Sequence, residues 1–220
     1  MNVIPKRLTE LTCAETVSLL KDLILAGAAI TGSVVAVKGL GTWQRQLKGK
    51  SEYELSRRIL VSLFKYRDAI NGVRHPMMWA HEMPAPPEDK AQKMSSEQIR
   101  FYGTQKAYEA RWDQVQSVRS SLYADLLEAE AIWGSSLKDL FKKAFDLEHE
   151  LAVSIRHYLT LCNPDTEEAS REAVRKIQGK RRDIMYDDLS EEGDEYKKDF
   201  AAAIEGIEKY LKPKLSHEKV

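Results

Sequence analysis

The chain has 220 residues, 31% of them charged, and a formal net charge of zero, so no overall charge attracts it to nucleic acid and no specific nucleic-acid binding is expected. Its two cysteines lie far apart, which excludes a disulfide framework and a zinc-finger pattern. The composition is dominated by Ala, Leu, Glu, Lys and Arg, which favours an all-α fold.

An uncharged run near the N-terminus is the strongest feature of the sequence. The fifteen residues LILAGAAITGSVVAV, from Leu23 to Val37, carry no charge, and extension to Leu19 and Leu40 adds charges only near the ends. A membrane-spanning helix needs about 20 mainly apolar residues, and lysines at its ends can reach the head groups. The run predicts a transmembrane helix. A buried helix of a soluble bundle and a cleaved signal peptide are the alternatives.

This prediction divides the N-terminal part of the chain. Residues 1–22 form a short tail and helix start, and residues 19–47 form the transmembrane helix with a juxtamembrane extension. Gly27, Ala28 and Gly32 have the small side chains found where membrane helices pack closely. The expected partners are therefore the lipid bilayer and either a second copy of the chain or another protein.

The basic residues that flank the run predict its orientation. Three precede it (Lys6, Arg7 and Lys21), and six follow it (Lys38, Arg45, Lys48, Lys50, Arg57 and Arg58). The positive-inside rule therefore predicts a single-pass protein of the cell inner membrane, with its N-terminus outside and its C-terminal domain in the cytoplasm. Cys13 and Cys162 would then lie on opposite sides of the membrane.

Three capping-box patterns predict helix starts. TCAE begins at Thr12 and would open the membrane helix, SEYE begins at Ser51 and would open an amphipathic helix, and SSEQ begins at Ser95 and would open a long helix ending near Trp133. Apolar residues recur at three- and four-residue steps along each of the last two helices.

Residues 51–215 are predicted to form a helical cytoplasmic domain with a Pro/Met-rich loop at residues 75–90. Beyond the long helix, the pattern predicts a helix over about 137–161 in near-heptad register, as in a coiled coil. A shorter helix follows the segment CNPDTEE, and a final helix covers about 195–211. The predicted architecture is a transmembrane helix followed by an antiparallel helical bundle.

The segment TWQRQLKGKSEYELSRRILVSLFKYRDAI, residues 42–70, resembles a loose group of bacterial single-pass membrane proteins with helical cytoplasmic domains. The resemblance covers mainly residues 20–75, with weaker similarity in LEAEAIWG and IEGIEKYLKPKL. It implies a single-pass topology and carries no activity, cofactor or site residue.

A cluster of histidines and methionines in the loop provides a candidate metal site. His75, Met77, Met78, His81 and Met83 have the imidazole and thioether ligands that suit Cu(I). Met in a loop more often covers a hydrophobic core, and a cytoplasmic position argues against copper handling. We therefore predict no metal and no cofactor.

Arg74 and His81 provide a candidate catalytic pair. Their spacing resembles the Arg-x(4–6)-His pairing of HEPN-type helical ribonucleases, which implies RNA cleavage in a dimer cleft. Here Pro76 interrupts the spacing, and His75 stands where the family has its characteristic polar residue after the arginine.

Four local predictions concern the second half of the chain. DLEHE, residues 146–150, offers only Asp146 three residues before His149, and no histidine of the chain has the Glu-x-x-His spacing of a di-iron bundle. DLEHE is therefore predicted to be a solvated face, with Glu150 on the surface. Leu151 is predicted to be buried, and Cys162 to be a small core residue. GKRRD, residues 179–183, is a basic patch that could contact phosphate or anionic lipid.

Three functions follow. The favoured one is a membrane-anchored interaction or scaffold module without catalysis. The alternatives are a HEPN-like ribonuclease and a membrane-active effector that oligomerises through its transmembrane helix.

Overall fold

The computed structural model describes residues 7–190 and 193–215, with side chains from residue 16 onward. Within those residues all regular structure is helical and no strand occurs, which confirms the all-α prediction for this part of the chain. The α-helices are α1 (Arg7–Arg74), α2 (Glu88–Ala91), α3 (Ser96–Trp133), α4 (Ser136–Cys162), α5 (Glu168–Gln178) and α6 (Glu195–Leu211). Two short 3₁₀-helices lie at Ala80–Glu82 and Lys212–Lys214.

The chain divides into two units at the bond between Glu52 and Tyr53. Helix α1, whose N-terminal part belongs to the first unit, is the one described helix that is long and apolar enough to cross a membrane. None of the most apolar stretch of α1 is buried. The large apolar side chains from Val17 to Leu40 are all exposed. Exposed apolar surface of this extent is uncommon in soluble proteins.

Hydroxyl groups within the apolar run are satisfied by the helix itself. Thr31 and Ser33 are its only polar side chains. The Thr31 hydroxyl donates to the Gly27 carbonyl at 2.7 Å, and the Ser33 hydroxyl donates to the Ala29 carbonyl at 2.8 Å. A polar group without a partner would be costly in hydrocarbon, so these internal bonds suit a lipid environment.

Two of the three predicted helix starts are wrong. The backbone of α1 begins at Arg7, so TCAE lies inside the helix, and α1 continues through Ser51 without a break. A capping box acts only where the preceding backbone is not helical, and no proline interrupts α1 before either box. The third start is confirmed, because the Ser95 hydroxyl accepts from the Gln98 N–H at 3.2 Å and the Gln98 side chain accepts from the Ser95 N–H at 2.8 Å.

In the second unit, the C-terminal part of α1 contributes one continuous apolar stripe to the core. Its predicted members are all buried: Leu55, Ile59, Leu63, Tyr66, Ile70 and Val73. Helix α4 contacts α3, α5 and α6, and its own apolar stripe belongs to the same core. Leu151 is fully buried midway along α4, as predicted.

Leu151→Ala tests the register of α4. We expect the free energy of unfolding to fall by about 2–5 kcal/mol, because the change removes buried methyl groups and leaves a cavity. Lys142→Ala, at an exposed position of the same helix, should change it by no more than about 0.5 kcal/mol. Denaturant titration of the detergent-solubilised chain, followed by tryptophan fluorescence, measures both. Equal losses would contradict the assigned register.

Candidate functional site

Arg74 occupies the last turn of α1 and is almost completely buried. Its Nε donates to the Ile184 carbonyl at 2.8 Å, and its Nη2 donates to the Tyr186 carbonyl at 2.8 Å and to Asp194 Oδ2 at 2.6 Å. The guanidinium also lies 4.5 Å from the centre of the Tyr196 ring. This one side chain therefore joins the end of α1 to the segment after α5 and to the start of α6.

Asp194 has two roles in this arrangement. Its Oδ1 accepts from the Lys197 N–H at 2.9 Å, so it caps α6 while its other oxygen binds Arg74. Burial alone would raise the pKa of Asp194, but the hydrogen bonds from Arg74 and from the Lys197 backbone lower it below its usual value. The ion pair therefore stays charged at neutral pH.

Arg74 and His81, whose spacing resembles a ribonuclease pair, have different surroundings in the structure. His81 is exposed on the 3₁₀-helix Ala80–Glu82, whereas the Arg74 guanidinium is buried and donates to three acceptors of its own chain. A phosphate group would have to displace these acceptors before it could reach the arginine. The geometry assigns Arg74 a packing role.

A second arginine fixes the Pro/Met-rich loop to α3. Arg111 binds both carboxylate oxygens of Glu82, with Nε–Oε1 at 2.7 Å and Nη2–Oε2 at 2.9 Å. It also donates to the carbonyls of His75, at 2.9 Å, and Met77, at 2.7 Å. Glu82 in turn accepts from the Trp79 N–H at 2.8 Å. The loop is therefore held by five hydrogen bonds that converge on one ion pair.

The candidate copper ligands of this loop have several different surroundings. The Met77 N–H donates to His75 Nδ1 at 3.2 Å, so one imidazole nitrogen already has a local partner. Met78 packs against the core, whereas Met77, His81 and Met83 are exposed. In the part of the chain that the structure describes, no three or more His, Cys, Asp or Glu side chains are grouped to hold a metal ion.

A buried carboxylate, Glu148, lies between α4 and its neighbours. The Tyr66 hydroxyl donates to Glu148 Oε2 at 2.7 Å, and Arg119 Nη1 donates to Oε1 at 3.0 Å. Gln116 Nε2 lies 3.5 Å from the same Oε1. Burial, and then the charge of Glu148, raise the pKa of Tyr66 above its usual range. Side chains from α1, α3 and α4 thus meet at one buried polar centre.

The prediction that DLEHE is a solvated face is therefore wrong at Glu148. Asp146 and His149 are exposed as predicted, but only 2% of Glu148 is exposed. The signal was present in the near-heptad spacing, because Glu148 lies four residues after Ala144 and three before Leu151, both buried. The charge of Glu148 favoured the prediction of a surface position. Its burial is favourable only because Tyr66 and Arg119, on other helices, bind its carboxylate.

Glu150 also differs from the prediction of a simple surface residue. Its carboxylate accepts two bonds from Arg182, Nε–Oε1 at 3.0 Å and Nη2–Oε2 at 2.8 Å, and Arg182 also donates to Asp199 at 2.8 Å. These acceptors, led by Glu150, raise the pKa of Arg182. Within GKRRD, Arg182 is thus a structural tie between α4 and α6. Cys162 is exposed, so the prediction of a core cysteine is wrong: it ends α4, beyond the buried stripe.

An open groove runs between α3 and α4. Its volume is about 460 Å³, and Tyr108, Trp112, Ile155 and Leu159 are among its lining residues. A smaller pocket of about 270 Å³, beside Glu148, shares Trp112 and Ala152 with the groove. The arrangement offers an apolar surface with a polar centre at one end, which is the composition of many binding sites.

No protein-family model, curated protein or solved structure matches the chain.

Glu148→Ala tests the buried polar centre. The change leaves Tyr66 without its shorter hydrogen bond and Arg119 without its carboxylate, so we expect a loss of about 3 kcal/mol in the free energy of unfolding. Asp146→Ala removes an exposed carboxylate of the same turn and should change it by at most about 0.5 kcal/mol. Glu148→Gln keeps an acceptor for Tyr66, so its loss in the free energy of unfolding should lie between the losses of those two variants. Denaturant titration decides; similar values for Glu148→Ala and Asp146→Ala would contradict the assigned centre.

The Arg111–Glu82 pair predicts a pH dependence of stability. Arg111 is the main cause that lowers the pKa of Glu82 from 4.5 to about 2. The folded-state pKa lies below the unfolded one, so this stabilisation is complete above pH 4.5 and is lost as the pH falls towards 2. Glu82→Gln should therefore be less stable than wild type at pH 7, and the difference should shrink below pH 4.5.

Thermal unfolding across this pH range measures the difference. Glu88→Gln, at an exposed position of α2, is the matched control and should follow wild type throughout. A constant gap between Glu82→Gln and wild type would show that the pair does not titrate as the geometry requires.

Proposed function

We propose that the chain is a single-pass, membrane-anchored interaction module without catalytic activity. In this proposal α1 crosses the inner membrane, the N-terminus lies outside, and the second unit is a cytoplasmic antiparallel helical bundle that binds a protein partner. The observation that carries the proposal is the exposed apolar part of α1, within which the Thr31 and Ser33 hydroxyl groups are bonded to the backbone of the same helix.

The membrane assignment is supported by the apolar surroundings that the exposed surface of α1 requires. Apolar side chains from Val17 to Leu40 are exposed on α1, and water is an unfavourable surrounding for such a continuous surface. A bilayer of about 30 Å of hydrocarbon matches about 20 helical residues. The excess of basic residues after Val37 supports a cytoplasmic position for the second unit.

An interaction role is supported by how the second unit uses its polar side chains. Four charged side chains form hydrogen bonds to groups of another element and so stabilise the fold: Arg74, Arg111, Arg182 and Glu148. The groove between α3 and α4 instead presents partly exposed apolar side chains, Trp112 and Leu159 among them. Acid and base side chains line it as well, Asp113 from α3 and Arg156 from α4. We assign it to an amphipathic helix of a partner that carries a basic edge towards α3 and an acidic edge towards α4.

A second candidate function, the oligomerising membrane effector, uses the predicted packing residues Gly27, Ala28 and Gly32. A Cβ atom added at Gly27 or Gly32 would meet no described atom within 4 Å, so no described residue covers this face of α1. A second copy could approach closely there. Dissipation of the membrane potential on expression would favour this function over the interaction module.

Membrane integration is the first test of the proposal. The chain should remain in the membrane pellet after alkaline carbonate and dissolve in detergent, because α1 is embedded in the hydrocarbon. Ile30→Asp places a charge in the middle of the apolar run and should shift the protein to the carbonate supernatant, since such a charge costs about 3 kcal/mol. Leu47→Asp lies beyond the run and should not. Release of wild type by carbonate alone would contradict the membrane assignment.

Topology is tested with the two natural cysteines. Cys162 is exposed, so a membrane-impermeant maleimide should label a variant that keeps only Cys162 in inverted vesicles and not in intact spheroplasts. A variant that keeps only Cys13, whose side chain lies outside the described ones, should give the opposite pattern. Labelling of Cys162 in intact spheroplasts would reverse the proposed orientation.

A further inference from the structure

A third cavity in the second unit has a chemistry unlike that of the α3/α4 groove. It has a volume of about 320 Å³ and lies where α4, α5 and the segment after α5 meet. Three arginines, a histidine and a serine contribute to its lining: Arg175, Arg181, Arg182, His157 and Ser154. Guanidinium and hydroxyl groups are donors suited to phosphate oxygens.

We infer that this cavity, here called the arginine pocket, binds a phosphate group. Its source is either the head group of an anionic lipid or a soluble phosphate compound, and both present the same oxygens. The inference does not depend on the proposed interaction with a protein partner, because the arginine pocket is separate from the α3/α4 groove.

Two arginines of the pocket are held in place by carboxylates outside its lining. Arg182 binds Glu150 and Asp199, and Arg175 binds Glu168 at 2.7 Å. Such pairs orient a guanidinium and reduce its net charge, but they leave other N–H groups to donate to a ligand. These arginines supply geometry more than charge.

Arg181 supplies the uncompensated charge. No carboxylate of the described residues forms an ion pair with it, and the same is true of the neighbouring Arg156. The positive charges of these two arginines act on His157. Burial of the ring, and then Arg181 and Arg156, lower the pKa of the His157 imidazole. The positive charges of Arg181 and Arg156, which disfavour a proton on His157, favour an anion, whereas the burial of the ring contributes nothing to that preference.

One carboxylate also lines the arginine pocket. Asp183 Oδ1 accepts from the Met185 N–H at 3.2 Å, so part of its capacity is used by the backbone of its own turn. Asp183 reduces the charge of the pocket and disfavours a ligand with many negative groups. A single phosphate or a pyrophosphate is therefore a better match than a nucleic acid.

Arg181→Glu provides the decisive variant, and Lys180→Glu provides its matched control. Both make the same change of charge at adjacent positions, but Lys180 does not line the arginine pocket. Arg181 is exposed and forms no described ion pair, so its replacement should not disturb folding. Arg181→Gln, which removes the charge without reversing it, is a milder second variant.

Binding is measured by calorimetry on the full chain in a non-ionic detergent. The probes are inorganic pyrophosphate and dihexanoyl phosphatidate, a short-chain lipid used below its micelle concentration. We expect binding to wild type, a loss of about tenfold or more in affinity for Arg181→Glu, and near wild-type affinity for Lys180→Glu. Arg181→Gln should lie between wild type and Arg181→Glu.

The pattern of binding separates the sources. Arg181-dependent binding of both probes supports recognition of the phosphate group itself. Arg181-dependent binding of the lipid alone indicates that the phosphate belongs to a lipid head group. Arg181-dependent binding of pyrophosphate alone indicates that it belongs to a soluble compound. Equal losses in Arg181→Glu and Lys180→Glu would show a diffuse field and overturn the inference, as would the absence of binding to wild type.

Discussion

The buried guanidinium of Arg74 needs hydrogen-bond acceptors wherever it is placed, because an unpaired charge inside a protein is very costly. Its acceptors come from Ile184, Tyr186 and Asp194, more than one hundred residues further along the chain. Asp194 is also the residue that caps α6. The position of the final helix and of the segment before it therefore depends on satisfying one charge at the end of α1.

The same requirement recurs elsewhere in the second unit. Arg111 joins α3 to the Pro/Met-rich loop through Glu82, Arg182 joins α4 to α6, and Glu148 brings together α1, α3 and α4. These four charged side chains thus link elements around a core that is made mainly of apolar residues. This use explains why Arg74, whose spacing from His81 resembles a catalytic pair, is better understood as part of the fold.

The first unit differs from the second in what satisfies its polar groups. No described residue buries the exposed apolar part of α1, and the Thr31 and Ser33 hydroxyl groups within it bond to their own helix. The second unit instead keeps its apolar groove and its arginine pocket at separate places.

The sequence by itself determined the helical class, the apolar run, the cap at Ser95 and the helices of the second half, including the range 195–211, because caps and apolar periodicity act within a few turns. It could not decide that Glu148 and Arg74 are buried or that Cys162 is exposed. It also gave false starts at Thr12 and Ser51, where the surrounding helix continued. Only the tertiary structure decided these points, because a charge becomes stable in a core only when distant elements bring it partners.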